Sequence, residues 1–231
     1  MRILSIESSA KAASVAVTED GILISQYWQY STLTHSKTLL SMTEDLLSNL
    51  DLKIENIDAI AVASGPGSFT GIRIGIATAK GLAWGASLPV CGVSTLESMA
   101  HHLEDREGAL ICPVMDARRN QVYNAKFTVK NGQLERICDD RAISVKQLME
   151  EAKNDKKPYF FVGDGAKMCY NAFLEAGFEA FLPIKPLILQ SAWGVAMATE
   201  GKEFLPADDL TPSYLRLSQA ERERLERLAG K

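Results

Sequence analysis

The same succession of segments occurs twice in this chain, and that repetition constrains the fold more than any single motif. In the first half, an apolar run at 3–6 ends in Glu7-Ser8-Ser9, "SVAV" leads into the turn Glu19-Asp20-Gly21, and "ILISQYW" returns. An amphipathic stretch at 34–50 follows, then the apolar "IDAIAVASG", the turn Gly65-x-Gly67 and a glycine-rich helix. In the second half, "ALICPVMDA" runs into Asp116, "QVYNAKFTV" leads to Lys130-Asn131-Gly132, and "QLERI" returns. "SVKQLMEEAK" is helical in pattern, and "YFFVGDGAKMCYNAFLEAGF" supplies a strand, Gly163-x-Gly165 and a helix. Glu7 thus corresponds to Asp116, Gly21 to Gly132, and one Gly-x-Gly turn to the other. Asp-Gly and Asn-Gly between strand-like runs are hairpin signals. Strands interleaved with helices predict an α/β architecture.

Two such units facing each other resemble the duplicated fold of actin, Hsp70 and the sugar kinases, called ASKHA. It has two lobes, each with a mixed β-sheet flanked by helices, and acidic strand ends directed into the cleft between them. The expected N-terminal lobe covers 1–98, with helices at about 34–50 and 70–85. The expected C-terminal lobe covers 99–231 and ends in a charged helix at about 218–229 that can cross back to the first lobe. Ser218 and Glu221 give that helix a capping box, and Gly230 its C-terminal stop.

Composition narrows the function classes. With 46% hydrophobic and 23% charged residues the chain has material for a packed core. A net charge of −4 gives no overall electrostatic footprint for nucleic acid, although the tail, with Arg216, Arg222, Arg224, Arg227 and Lys231, is locally basic. It reads as a solvated helix or as a weak RNA or partner contact. No apolar run is long enough for a signal peptide or a membrane span, so a cytoplasmic protein is expected. Cys91, Cys112, Cys138 and Cys169 form no C-x-x-C pair, which argues against structural zinc and for reduced core thiols.

The most informative stretch is "ASGPGSFTGIRIGIATAKGLAWG". It is neither a Walker A loop nor G-x-G-x-x-G. A Gly-x-Gly turn before a helix suits either an anion or a plain chain reversal. Nucleotide contacts would fall on Glu7, Ser8, Gly65, Gly67, Asp116, Gly163 and Gly165. Glu7 and Asp116 read either as cleft acids or as turn acids that accept local N–H bonds. In the helix, Gly71, Gly75 and Ala79 share a face with Ile72 and Ile76 beside them, and each interior glycine costs roughly 1 kcal/mol against alanine. The preceding helix carries leucines on two sides, Leu39 with Leu46 and Leu40 with Leu47. A partner interface is expected on His35, Leu39, Thr43, Leu46, Gly71, Ile72, Gly75, Ile76 and Ala79; the alternative is a core closed within one chain. His101 and His102 are adjacent and cannot chelate one metal from a helix, and no Ser-His-Asp arrangement is legible.

"ILSIESSAKAASVAV", "HSKTLLSMTEDLL", "SGPGSFTGIRIG", "LPVCGVSTLESMA", "PVMDARRNQVYNAKF" and "TPSYLRL" resemble the TsaB (YeaZ) family over 1–217. The resemblance implies a partner protein in bacterial synthesis of tRNA threonylcarbamoyladenosine. In that system a synthase makes threonylcarbamoyl-adenylate, and the catalytic subunit TsaD transfers its threonylcarbamoyl group to the adenosine next to the anticodon in tRNAs reading ANN codons. It implies binding to TsaD through the two helices, a complex joined by the P-loop ATPase TsaE, tRNA contact through that complex, and a homodimer when alone. TsaD carries N-H-x-x-G-H after its glycine-rich helix, with both histidines on the metal. Here that segment is "STLESM", with Thr95 and Met99 at the histidine positions, and neither replaces imidazole as a ligand. Glu7 also stands where the fold's enzymes use aspartate. The expected protein is therefore a non-catalytic dimerising and activating subunit with no metal and no cofactor of its own beyond weak ATP or ADP binding. The rivals are an independent ATP-dependent small-molecule kinase of the same fold and a protease.

Overall fold

The computed structural model describes residues 1–118, 120–155 and 157–216; the charged helix expected at about 218–229, with Ser218, Glu221 and Gly230, lies outside them. Strands Arg2–Glu7 (β1), Ala12–Glu19 (β2), Ile22–Tyr30 (β3), Ala59–Gly65 (β4) and Val90–Ser94 (β5) form one sheet, ordered β3-β2-β1-β4-β5. Strands Leu110–Asp116 (β6), Gln121–Lys130 (β7), Gln133–Ser144 (β8), Tyr159–Val162 (β9) and Ala180–Phe181 (β10) form the second, ordered β10-β9-β6-β7-β8. The two orders are the same once β1 is laid on β6. In each sheet the first three strands are antiparallel and the next two parallel. Both hairpins turn through two residues at positive φ, Asp20 and Gly21 at 49° and 80°, and Asn131 and Gly132 at 54° and 70°. Their backbone twist matches that of the flanking strands.

The helices repeat in the same register. His35–Asn49 (α1) and Phe69–Ala86 (α2) flank the first sheet, and Thr95–Ala100 (α3) follows β5. Val145–Asp155 (α4), Ala166–Glu175 (α5) and Ala192–Met197 (α6) hold the matching places in the second half. The third helix of each half crosses over: α6 packs on β1, β2 and β4, and α3 packs on β6 and β7 as well as on α6. β4 is buried along its whole length, because α2 covers one face and α6 and α3 the other.

This crossing changes the division expected at 98/99. Residues 192–213 lie on the first lobe, where Val195 and Ala198 join Ala61, Ala63 and Val93 in one apolar cluster, and Ala207 and Leu210 join the core under α1 and α2. Leu205 bridges Val90, and Ser213 N donates to Ser64 O at 2.8 Å. The lobes are therefore joined by two swapped helices as well as by the connecting chain.

Candidate functional site

Two surfaces invite function: the α1/α2 layer and the cleft between the lobes. α2 is packed within its own chain. Gly71, Ile72, Gly75, Ile76 and Ala79 lie on its inner face, with Leu39, Thr43 and Leu46 of α1 buried beside them. Thr43 Oγ1 donates to Leu39 O at 2.9 Å, and His35 Nε2 donates to Ala10 O at 2.7 Å. One copy of the chain thus covers the face expected to await a partner. The small residues serve an internal purpose, since a methyl group on Gly71 would run into the Ser8 carbonyl and one on Gly75 into the Ser8 hydroxyl. Of the outer leucines, Leu47 is buried and only Leu40 stands out, at 58% exposure.

The open side of α2 carries Ala77, Gly81, Trp84 and Gly85. Among the described residues Trp84 is 58% exposed, and none lies within 4 Å of where a side chain on Gly81 or Gly85 would begin. Gly71 and Gly81 are ten residues apart, which at 100° per residue sets their faces about 80° from one another. The helix therefore carries two glycine pairs with different roles. Sequence reasoning saw the four-residue spacing and put Gly71 and Gly75 at the interface, whereas in this chain they face inward. Nearly every residue of the stretch is apolar, so no polar stripe marks the solvent side.

The cleft, about 720 Å³, is lined by the turns after β1 and β6, the start of α2 and residues 213–216. Glu7 and Asp116 stand at matching strand ends in different environments, and only Asp116 lines the cleft. Glu7 is wholly buried; its Oε1 accepts from Ser9 N at 2.5 Å and its Oε2 meets no partner among the described residues. Burial pushes the Glu7 carboxyl up to about 7 against the Ser9 hydrogen bond, and Asp164 from the other lobe adds to the rise. Asp116 is exposed and accepts from Arg118 N at 2.7 Å. Each acid thus binds the N–H two residues on, as a turn acid does. Ser8, expected at a nucleotide, is buried and donates to Gly71 O at 2.9 Å.

The glycine turns are closed by the chain itself. Gly65 faces Ser213 O, Gly67 faces Ser9, Gly163 faces Val114 O and the Met99 sulfur, and Gly165 faces the Met115–Asp116 peptide. The amides are engaged as well: Ser68 N donates to Ser9 O at 2.6 Å, Gly163 N to Ile188 O at 2.6 Å and Gly165 N to Val114 O at 3.1 Å. An anion cradle needs such donors turned outward, and these are turned inward.

The segment with TsaD's histidine positions forms α3. Thr95 and Met99 are fully buried, and Met99 fills the space left by Gly163. Ser94 donates to Asp140 at 2.5 Å, and Glu97 binds Arg136 at 3.0 Å and Lys202 at 2.7 Å, so ion pairs hold the start of α3. Among the described residues no group of three His, Cys, Asp or Glu side chains is arranged to hold a metal. One pair escaped sequence reasoning because 89 residues separate its members: Ser191 Oγ donates to His102 Nε2 at 2.8 Å, and His102 Nδ1 donates to Leu187 O at 2.9 Å. Burial pulls the His102 imidazole down to about 4, both residues are buried, and the third partner is a carbonyl. The pair is a structural tie that caps α6, where Ser191 also accepts from Gly194 N, and it lacks the acid and the open face of a hydrolytic triad.

Comparison with known proteins follows the same lines. A family model described as TsaD: tRNA N6-adenosine threonylcarbamoyltransferase matches residues 29–221. The chain is 33% identical over 223 residues to the tRNA threonylcarbamoyladenosine biosynthesis protein TsaB of Bacillus subtilis (strain 168), covering 96% of each chain. It is equally 33% identical to the protein of that name from Escherichia coli (strain K12), covering 94% of this chain and 95% of that one. The solved structure of YeaZ from Pseudomonas aeruginosa matches with a TM-score of 0.74 at 27% identity, over 93% of this chain and 99% of that chain. With the two equivalent sheets, these likenesses give the fold as the duplicated ASKHA type.

Proposed function

The chain belongs to the TsaB family of tRNA threonylcarbamoyladenosine biosynthesis proteins, and from that premise we propose that it is a non-catalytic subunit docking on TsaD through the outer side of α2. The observation that carries this reading is the Ala77-Gly81-Trp84-Gly85 face. A helix that spends an interior glycine on its open side loses roughly 1 kcal/mol, and no described residue packs against Gly81 in return. Gly81 allows a second backbone to approach closely, and Trp84 is the type of side chain that anchors an interface. In the absence of TsaD the same face serves a homodimer.

The subunit supports transfer of the threonylcarbamoyl group from threonylcarbamoyl-adenylate to the adenosine next to the anticodon in tRNAs reading ANN codons, with TsaE and tRNA joining through the assembled complex. Its described residues supply no transfer chemistry: Thr95 and Met99 are buried in the packing of α3, and Glu7 and Asp116 bind their own turns. Nucleotide binding in the cleft is weak, since the turn amides are already bonded. The test is calorimetric titration of TsaD into the chain, wild type and Trp84→Glu. Loss of binding in the variant supports the assignment, and equal affinity refutes it. Turnover of ATP by the chain alone would favour the kinase reading instead.

A further inference from the structure

Residues 213–216 line the cleft and are fastened to both lobes. On the first lobe, Ser213 N donates to Ser64 O at 2.8 Å. Tyr214 stacks on Phe69 with ring centroids 4.5 Å apart, and its hydroxyl accepts from Arg73 Nε at 2.8 Å, while the Arg73 guanidinium lies 3.8 Å from the Phe69 ring centre. On the second lobe, Arg216 Nη1 donates to Ala117 O at 2.9 Å, in the turn that follows Asp116. Ala117 N in turn donates to Gln121 O at 3.0 Å, and Gln121 N to Arg118 O at 3.1 Å.

We propose that residues 213–216 are a strap that sets how far the two lobes open. The two anchors differ in strength. Among the described residues, Tyr214 has a stacked ring, a hydrogen bond and a cation over the neighbouring ring, whereas Arg216 has one hydrogen bond, to a carbonyl. The strap therefore releases at its Arg216 end and stays attached at Tyr214. Pro212 restricts Thr211 to an extended conformation, which directs the strap across the cleft and keeps it from folding back along α2. The Ser213 carbonyl lies against Gly65, so the closed strap also covers the turn beneath it. Arg73 sits one helical turn before Ala77 on exposed α2 surface, and whatever draws its guanidinium away from Tyr214 loosens the strong anchor.

Hydrogen exchange followed by mass spectrometry on the full chain tests this, comparing wild type with Arg216→Ala, Tyr214→Ala and Tyr214→Phe. The readouts are peptides spanning 64–72 and 115–124, with the β2–β3 hairpin as the internal standard. A strap predicts cross-lobe effects. Arg216→Ala raises exchange about fivefold at 64–72 as well as at 115–124, the change that loss of one ordinary hydrogen bond allows. Tyr214→Ala raises it more at 115–124, and Tyr214→Phe, which keeps the stack, raises it less than Tyr214→Ala. Exchange that rises only in the lobe where the lost contact was made, or nowhere, overturns the proposal. A rise in the hairpin as well marks general unfolding of that variant; Arg216→Ala, whose side chain lies at the rim, then decides between strap and no strap.

Discussion

Ser8 and Gly71 are locked together: the Ser8 hydroxyl donates to the Gly71 carbonyl at 2.9 Å, and the Ser8 carbonyl occupies the space where a Gly71 side chain would lie. Gly75, one turn on, holds the Ser8 hydroxyl in place. The glycines of α2 that face inward thus seat the end of β1. Replacing Gly75 by leucine forces the β1 turn off the helix, and overpacking of this kind costs typically 1–3 kcal/mol, more when backbone must move. Urea denaturation of Gly75→Leu is expected to show a midpoint well below wild type, with Gly71→Ala lowered in the same direction. A wild-type midpoint would mean that the contact is slack.

Much of this arrangement is legible in the sequence, and the part that is not has a physical cause. The pairing of Glu7 with Asp116 and of Gly21 with Gly132 predicts two sheets of the same order, and both hairpins turn at those glycines. The alternation of strand and helix fixes α1 and α2 to within a residue or two of 34–50 and 70–85. The inward face of α2 could not be separated from the outward one, because Ile72, Ile74, Ala77 and Trp84 are all apolar and side chains from β1 and β4 decide the matter. The swap of α3 and α6 is equally invisible: Ala192 N bonds Ser14 Oγ at 2.7 Å across 178 residues, a contact no local pattern encodes.

Gly81 separates the partner role from folding. Among the described residues nothing lies near its missing side chain, so arginine fits there, and the better helix propensity of arginine adds about 0.5–1 kcal/mol to stability. The same side chain blocks close approach of a second helix. Gly81→Arg is therefore expected to melt at a higher temperature than wild type while its affinity for TsaD falls at least tenfold by calorimetry. A variant that melts lower, or that binds as before, contradicts the assignment of this face.

The closed glycine turns make a prediction about nucleotide. Ser68, Gly163 and Gly165 all donate their amides to the protein's own carbonyls, and the cost of breaking such bonds falls on the ligand. Titration of ATP with magnesium into the chain alone is expected to give half-saturation no tighter than on the order of millimolar, about −4 kcal/mol of binding free energy. Saturation at micromolar concentration would show that the turns open, and would return the kinase reading to first place.

Glu7 and His102 give stability two opposed pH limbs. Glu7 rises from 4.5 to about 7 on folding, so the folded state holds a proton that the unfolded chain releases. Its contribution is neutral below 4.5, becomes increasingly destabilising as pH climbs to 7, and is full above that, at about 3 kcal/mol for a shift of this size. His102 falls from 6.5 to about 4, so here the unfolded chain takes the proton first. Stability is intact above 6.5 and is lost as pH drops toward 4. Between 4.5 and 6.5 the two slopes oppose and flatten the profile. Glu7→Gln keeps an acceptor for Ser9 N and removes the alkaline limb alone. Its urea midpoint is expected to exceed wild type clearly at pH 8 and to match it near pH 4, with stability rising steeply from 4 to 6.5 because the His102 limb is no longer masked. A gain equal at both pH values would mean that Glu7 acts through packing and not through its proton.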